Sequence, residues 1–190
     1  MVRVIAGSAK GRRLATIRTL ALRPTPDRVR EALFNILGAR IDGAAILDLF
    51  AGSGAVGLEA LSRAARMAMF VEIHAPACRL IEKNLRLCGL YEHAALWNDD
   101  VLKVLPALKR QGQRFDVIFL DPPYQATLVE DALQQLGDGR LLSQGGQVVA
   151  EHFFKRELLE RYGRLHCVRV ARFGDVALSF YRMEEREGDV

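Results

Sequence analysis

The sequence predicts an α/β fold: a mostly parallel, seven-stranded sheet with helices on both faces, antiparallel strands at its C-terminal end, and a small basic β-hairpin and helix in front. Three observations predict it. From Ile46 onward, short apolar β-runs alternate with stretches of helical spacing, joined by short connections, the pattern of a parallel sheet covered by helices. The stretch Ile46–Leu61, ILDLFAGSGAVGLEAL, reads as strand, glycine turn and helix start, a place where backbone can approach a ligand closely. Near the end, two β-runs bracket Gly174-Asp175, which closes a hairpin and turns the last strands antiparallel.

Taken in order, Val2–Ala6 is a short β-run and Gly7–Gly11 is turn-rich. Arg12–Ile17 then returns as a second strand, making a basic hairpin. Thr19–Arg23 is a linker, and Thr25-Pro26-Asp27 starts a helix, with Thr25 as N-cap, Pro26 at the first helical position and Asp27 on the positive end of the dipole. Val29, Leu33, Ile36 and Leu37 form its apolar face, and it stops near Gly38. The predicted strands are 46–50, 67–72, 94–97, 115–120, 147–152, 168–173 and 177–182. The predicted helices between them are 55–65, 75–88, 100–110 and 127–136. Residues 1–38 read as a basic N-terminal extension, 39–183 as the catalytic domain, and 184–190 as a frayed polar tail.

Charge is distributed unevenly. Residues 1–30 hold eight Lys/Arg against Asp27, a net of +7, whereas the whole chain is +4. The basic character is an N-terminal property, which suits a polyanionic partner docking there. Cys78, Cys88 and Cys167 are widely spaced and make no C-x-x-C pair, as in a reduced, cytoplasmic protein without a metal site. No apolar run reaches membrane-spanning length, and the N-terminus lacks a signal-peptide core. Expectation therefore excludes a membrane partner, and the chain is taken as a monomer.

Gly52, Gly54 and Gly57 satisfy G-x-G-x-x-G, with Glu72 twenty residues beyond Gly52, which alone is a dinucleotide fingerprint. Asp48 does not fit it. A carboxylate there repels a pyrophosphate and suits an ammonium or sulfonium ligand instead. Strand ends in such a sheet share one rim, which brings together Asp48–Gly54, Glu72, Asp99-Asp100 and Asp121-Pro122-Pro123-Tyr124. In the last group two prolines remove two N–H donors and leave acceptors, the Asp121 carboxylate and the Pro122 carbonyl, beside an aromatic face. A flat base bearing an exocyclic amino group suits it: the ring stacks on Tyr124 while both amino hydrogens are accepted. The amine lone pair then turns toward an electrophile.

With DPPY and the glycine loop in place, the chain resembles the class I S-adenosylmethionine-dependent methyltransferases, a Rossmann-like fold, and within them the amino-methylating group. The resemblance implies that Asp48 and the loop Phe50, Ala51, Gly52, Ser53 and Gly54 hold the methionine part of the cofactor. It implies that Glu72 accepts the ribose hydroxyls, and that Asp100, with Asp99 adjacent, meets the adenine amino group. Asp99-Asp100 also suits a helix N-cap. The N-terminal stretches Val4–Gly7, Gly11–Leu14 and RPTPDRVREALFN from Arg23 to Asn35 resemble the RsmD family. Members methylate the N2 amino group of one guanine in bacterial 16S rRNA. Pro26 departs from that pattern, which often has a second threonine, and the tail after Arg182 matches nothing in it.

The resemblance implies an RNA methyltransferase acting on 16S rRNA, in an assembling 30S subunit. Asp121, Pro122, Pro123 and Tyr124 would serve catalysis. Arg12, Arg13, Arg23, Thr25, Arg28 and Arg30 are the candidates for RNA contact, the arginines through phosphates, which position RNA without reading it. Arg28, Arg30 and Glu31 cannot all face solvent on one helix, so an internal ion pair of Glu31 with Arg28 or Arg30 is also expected. Thr25 and residues 30–35 would lie over the cofactor. Two rivals keep a place: a DNA adenine-N6 methyltransferase, since DPPY accepts that amine too, and a dinucleotide-dependent oxidoreductase. A non-catalytic RNA-binding module is disfavoured by the intact DPPY.

Overall fold

The structure, a computed structural model, describes residues 2–16, 25–123 and 127–184. Tyr124, the segment 17–24 with Arg23, and the tail beyond Glu184 lie outside the described residues, so the expectations placed on them are not addressed by the geometry.

Eight strands form a single sheet in the order β3-β2-β1-β4-β5-β8-β7-β6. The parallel strands are β1 (Ala45–Leu49), β2 (Met67–Val71), β3 (Ala94–Trp97), β4 (Phe115–Leu120) and β5 (Leu142–Phe153); β6 (Arg161–Tyr162), β7 (Leu165–Phe173) and β8 (Val176–Met183) complete the sheet through antiparallel pairings. Five α-helices among the described residues, α1 (Asp27–Leu37), α2 (Ala55–Ser62), α3 (Ala75–Cys88), α4 (Val101–Arg110) and α5 (Leu128–Leu136), cover it. The sheet has one strand more than the sequence predicts. β6 is two residues long, too short to carry an alternation. β5 begins five residues earlier than predicted, because Gly145-Gly146 reads as a turn yet lies inside the strand. α2 ends at Ser62, ahead of Ala64 at φ +72°.

Every residue of β1 is buried, as a central strand covered on both faces requires. One apolar cluster, on the face of α1, α2 and α3, includes Leu33, Leu58, Phe70 and Phe119. The other, on the face of α4 and α5, includes Leu105, Leu120 and Leu133. Val2, Val4, Ala9 and Leu14 of the N-terminal hairpin belong to the first cluster. Among the described residues the two predicted strands reduce to a single antiparallel bridge, Arg3 opposite Arg13, and the turn is held by Val4 N–H to Arg12 O, Gly11 N–H to Val4 O and Leu14 N–H to Val2 O, each 2.9 Å.

Two glycines are dictated by close approach. Gly7 has φ +83°, and a Cβ there would lie 1.7 Å from the Ser62 carbonyl oxygen, so the hairpin sits directly on the end of α2. A Cβ on Gly57 would lie 2.3 Å from the Phe70 ring, so glycine lets α2 lie flat on β2.

Candidate active site

The site is assembled at the C-terminal ends of the parallel strands, where an open α/β sheet binds ligands. β1 and β4 are neighbours in register, Leu49 opposite Leu120. The chain leaving β1 enters the glycine loop as the chain leaving β4 enters Asp121-Pro122-Pro123.

The loop is bent and pinned. Phe50 has φ +60°, Gly52 +55° and Gly54 +75°, a left-handed sequence that a non-glycine residue such as Phe50 adopts only under tertiary constraint. The constraints are visible. Ala51 N–H donates to Val71 O at 3.0 Å and Gly54 N–H to Ala51 O at 2.7 Å. Gly52 N–H donates to Glu72 Oε2 at 2.8 Å. The Asn84 side-chain amide reaches Ser53 O at 3.3 Å. Gly54 then caps α2 in the left-handed conformation.

Around this loop stand three carboxylates. Asp48, in β1, is 2% exposed and accepts from Gly57 N–H at 2.9 Å. Burial pushes its carboxyl up to about 8; the Gly57 hydrogen bond opposes that rise, and the nearby Asp121 and Glu72 charges add to it. Glu72 is buried just beyond β2 and accepts from Gly52 N–H and, at 2.9 Å, from His74 N–H. Asp121 follows β4. Burial pushes its carboxyl up to about 7, opposed by a hydrogen bond from the Thr25 hydroxyl, 3.2 Å from Oδ2. Pro122 is buried and Pro123 exposed. Among the described residues no ion pair involves Asp48, Glu72 or Asp121.

Further along the rim, Asp100 caps α4, its Oδ1 accepting from Leu102 N–H at 2.7 Å, which meets the N-cap expectation. Asp99 is exposed and accepts from Asp100 N–H. Asn98 donates to the Glu72 and Ile73 carbonyls, both at 2.9 Å, tying the end of β3 to the end of β2.

The cationic candidates divide. Arg12, Arg13 and Arg28 are exposed and in no ion pair among the described residues. Arg30 is corrected: it is 0% exposed, donates to the Arg3 carbonyl and to Asp27 Oδ1, and lies 3.8 Å from Glu59 Oε2. A guanidinium with no surface cannot meet a phosphate; it is a structural strut. Thr25 is corrected too. It is 6% exposed, and Pro26 occupies the α1 N-cap position with no side-chain cap bond. Its hydroxyl serves Asp121 instead of the helix end or a solvent-facing RNA contact.

Sequence reasoning missed three side chains that fix the hairpin beside the site. Glu59 accepts from Ile5 N–H at 2.7 Å, Ala6 N–H at 2.9 Å and Arg63 Nε at 2.8 Å. Ser62 accepts from Ala9 N–H at 2.9 Å. Asn84 bonds both the N–H and the carbonyl of Ala15 while reaching Ser53, which joins the chain after Arg12-Arg13 to the glycine loop. The available signal was a lone acid inside an otherwise apolar helix, since all eight residues of α2 are buried and a charge in such a place needs partners.

The family model described as Conserved hypothetical protein 95 matches residues 2–182. Ribosomal RNA small subunit methyltransferase D of Escherichia coli is 36% identical over 98% of this chain and 90% of its own length. The protein of that name from Haemophilus influenzae is 40% identical over 79% and 78%. Among solved structures, a hypothetical protein of Thermus thermophilus superposes with a TM-score of 0.82 at 36% identity, covering 95% of this chain and 98% of that one. The fold is that of the class I methyltransferases, and the chain belongs to the Conserved hypothetical protein 95 family, the RsmD family that its N-terminal motifs resemble.

Proposed function

We propose that this chain methylates the exocyclic N2 amino group of one guanine in 16S rRNA, with S-adenosylmethionine as donor. The observation that carries the reading is the juxtaposition on one rim of Asp48, Glu72 and Asp121, three carboxylates without a cation among the described residues, around a loop of fixed backbone donors. Burial raises the proton affinity of Asp48 and Asp121, and for Asp48 the neighbouring acidic charges add to it; a cationic ligand relieves both. The residues present therefore fit the group: Asp48 and the loop from Phe50 to Gly54 hold its methionine part, Glu72 its ribose, and Asp99-Asp100 its adenine edge. When bound, it supplies a methyl group on a positively charged sulfur.

The chain's own residues do the rest. Asp121 and the Pro122 carbonyl accept the two hydrogens of the acceptor amine, and Tyr124 supplies the face on which the base stacks. This orients the nitrogen lone pair and makes the reaction effectively unimolecular. Transfer leaves a cationic amine. Asp121, with its carboxyl pushed up to about 7, takes the released proton at neutral pH. Arg12, Arg13 and Arg28 contact phosphates in the docked RNA, in an assembling 30S particle, and Arg23 joins them. The chain acts as a monomer in the cytoplasm.

Tritiated cofactor, the protein, and 30S subunits or 16S rRNA lacking the modification test this, with DNA as a control acceptor. Label in N2-methylguanosine at one position, reduced at least about a hundredfold by Asp121→Ala, is expected. Absence of label in guanine N2, with Asp121→Ala indistinguishable from wild type, overturns the reading.

A further inference from the structure

We propose that Thr25 is a positioning residue for Asp121, holding one carboxylate oxygen so that the other faces the acceptor amine. The inference rests on the proposed reading of Asp121 as the amine acceptor. Thr25 Oγ1 lies 3.2 Å from Asp121 Oδ2 across 96 residues of chain, and Thr25 is 6% exposed. A buried hydroxyl is committed to a partner, and the two ordinary uses are closed to it. It does not cap α1, whose N-cap is Pro26, and it lacks the surface that a phosphate contact needs.

Its position is fixed from behind. Thr25 directly precedes Pro26 and α1, and Arg30, buried in that helix, bonds Asp27 and the Arg3 carbonyl beside Glu59. Glu59 in turn holds the hairpin backbone at Ile5 and Ala6. The basic hairpin, α1 and the reacting carboxylate are thus joined by consecutive contacts that end on the Thr25 hydroxyl.

The groups surrounding Asp121 make that hydroxyl matter. Asp48 faces it from β1 and Glu72 stands beyond β2. Glu151 and His152 follow Ala150 of β5, which pairs with Leu120 of β4. Burial opposes ionisation of Asp121. The hydroxyl of Thr25 favours the ionised form, and only an ionised carboxylate accepts on both oxygens.

The test uses the full chain as wild type, Thr25→Val and Thr25→Ser, with 30S subunits as acceptor, across about pH 6–9, a window that brackets the raised carboxyl of Asp121. Thr25→Val keeps the shape and removes the donor. The expected result is a fall in kcat of about tenfold at pH 7 and an acid limb moved up by roughly one pH unit. KM for RNA and for cofactor should stay within about twofold, because neither is bound by this hydroxyl. Thr25→Ser restores both kcat and the acid limb. Unchanged kcat and pH profile in Thr25→Val, a defect confined to the KM for RNA, or failure of Thr25→Ser to rescue overturns the inference. Carbon-13 NMR titration of the Asp121 carboxyl in wild type and Thr25→Val reads the same contact without turnover. An upward shift there supports the inference even if wild type methylates no guanine, and identical titration curves overturn it independently of the proposed function.

Discussion

Asp48 and Glu59 are both buried carboxylates, eleven residues apart on one strand–turn–helix unit, 2% and 0% exposed. Their surroundings are opposite. Glu59 is met by two backbone N–H groups, the Arg63 side chain and the buried Arg30. Asp48 is met by one backbone N–H and by the charges of two other acids. A buried acid surrounded by donors and cations completes a structure. One surrounded by acids leaves a charge deficit that a ligand can fill. The difference separates the strut from the site within a single helix-loop unit.

The largest expected effect is on the strut. Glu59→Ala strips Arg30 of a partner while leaving its guanidinium buried, so folding stability should fall by about 3–5 kcal/mol, measured by urea unfolding. The hairpin N–H groups of Ile5 and Ala6 also lose their acceptor, and their amides should exchange faster than those of β1. A loss under about 1 kcal/mol would erase the contrast between the two acids.

The corresponding change in the site has the opposite sign. The Asp48 carboxyl is raised to about 8 in the fold, against about 4 for an aspartate in an unfolded chain. The folded state keeps a proton that the unfolded chain has lost, so stability falls as pH rises from about 4 to about 8 and the cost is complete above that. Asp48→Asn removes the cost and keeps an acceptor for Gly57 N–H. At pH 9 the variant should be more stable than wild type by about 2 kcal/mol, below the full linkage value because the fold relaxes around a buried charge. The gain should shrink toward pH 4, and cofactor binding should be weakened. Calorimetric unfolding at pH 5, 7 and 9 checks the sign; a variant less stable than wild type at pH 9 contradicts it.

Much of this was legible in the chain and some was not, for physical reasons. The parallel core was legible because apolar strands, glycine turns and caps are local: β3 and β4 fall on the residues expected, and Asp100 caps α4 as its position implies. Arg30 had a readable signal that charge counting overrode, since Arg30, Leu33, Phe34 and Leu37 recur at i, i+3, i+4 and i+7 and all four are buried. Thr25 had none. Thr-Pro-Asp is a good local helix start, and the partner that claims its hydroxyl instead lies 96 residues away. Long-range polar contacts have no periodicity to read.

A smaller effect tests whether the deficit at Asp48 is made for a cation. Binding a positively charged ligand should displace its proton, so affinity for S-adenosylmethionine should rise from pH 6 to pH 8, by at most about tenfold per unit, and level off above. Titration calorimetry at pH 7 in two buffers of different ionisation enthalpy should show proton release, absent in Asp48→Asn. Equal affinities at pH 6 and pH 9 in wild type would leave the three-acid rim without a ligand explanation.

The smallest effect extends the contrast to cations. Arg30 is buried and paired, whereas Arg12 and Arg13 on the hairpin are exposed and in no ion pair among the described residues. Exposed cations of that kind are available to phosphates. Replacing Arg12 and Arg13 with Gln should therefore weaken 16S rRNA binding a few-fold at moderate salt. The slope of log affinity against log salt should fall by roughly one for each phosphate no longer neutralised. Folding stability should be unchanged within about 0.5 kcal/mol, and cofactor affinity should be unchanged. Arg28→Gln, from the exposed face of α1, places the helix in or out of the same footprint by the same slope. An unaltered slope in all three variants would mean that these cations are as solvated as they look, and that the RNA approaches the rim from another side.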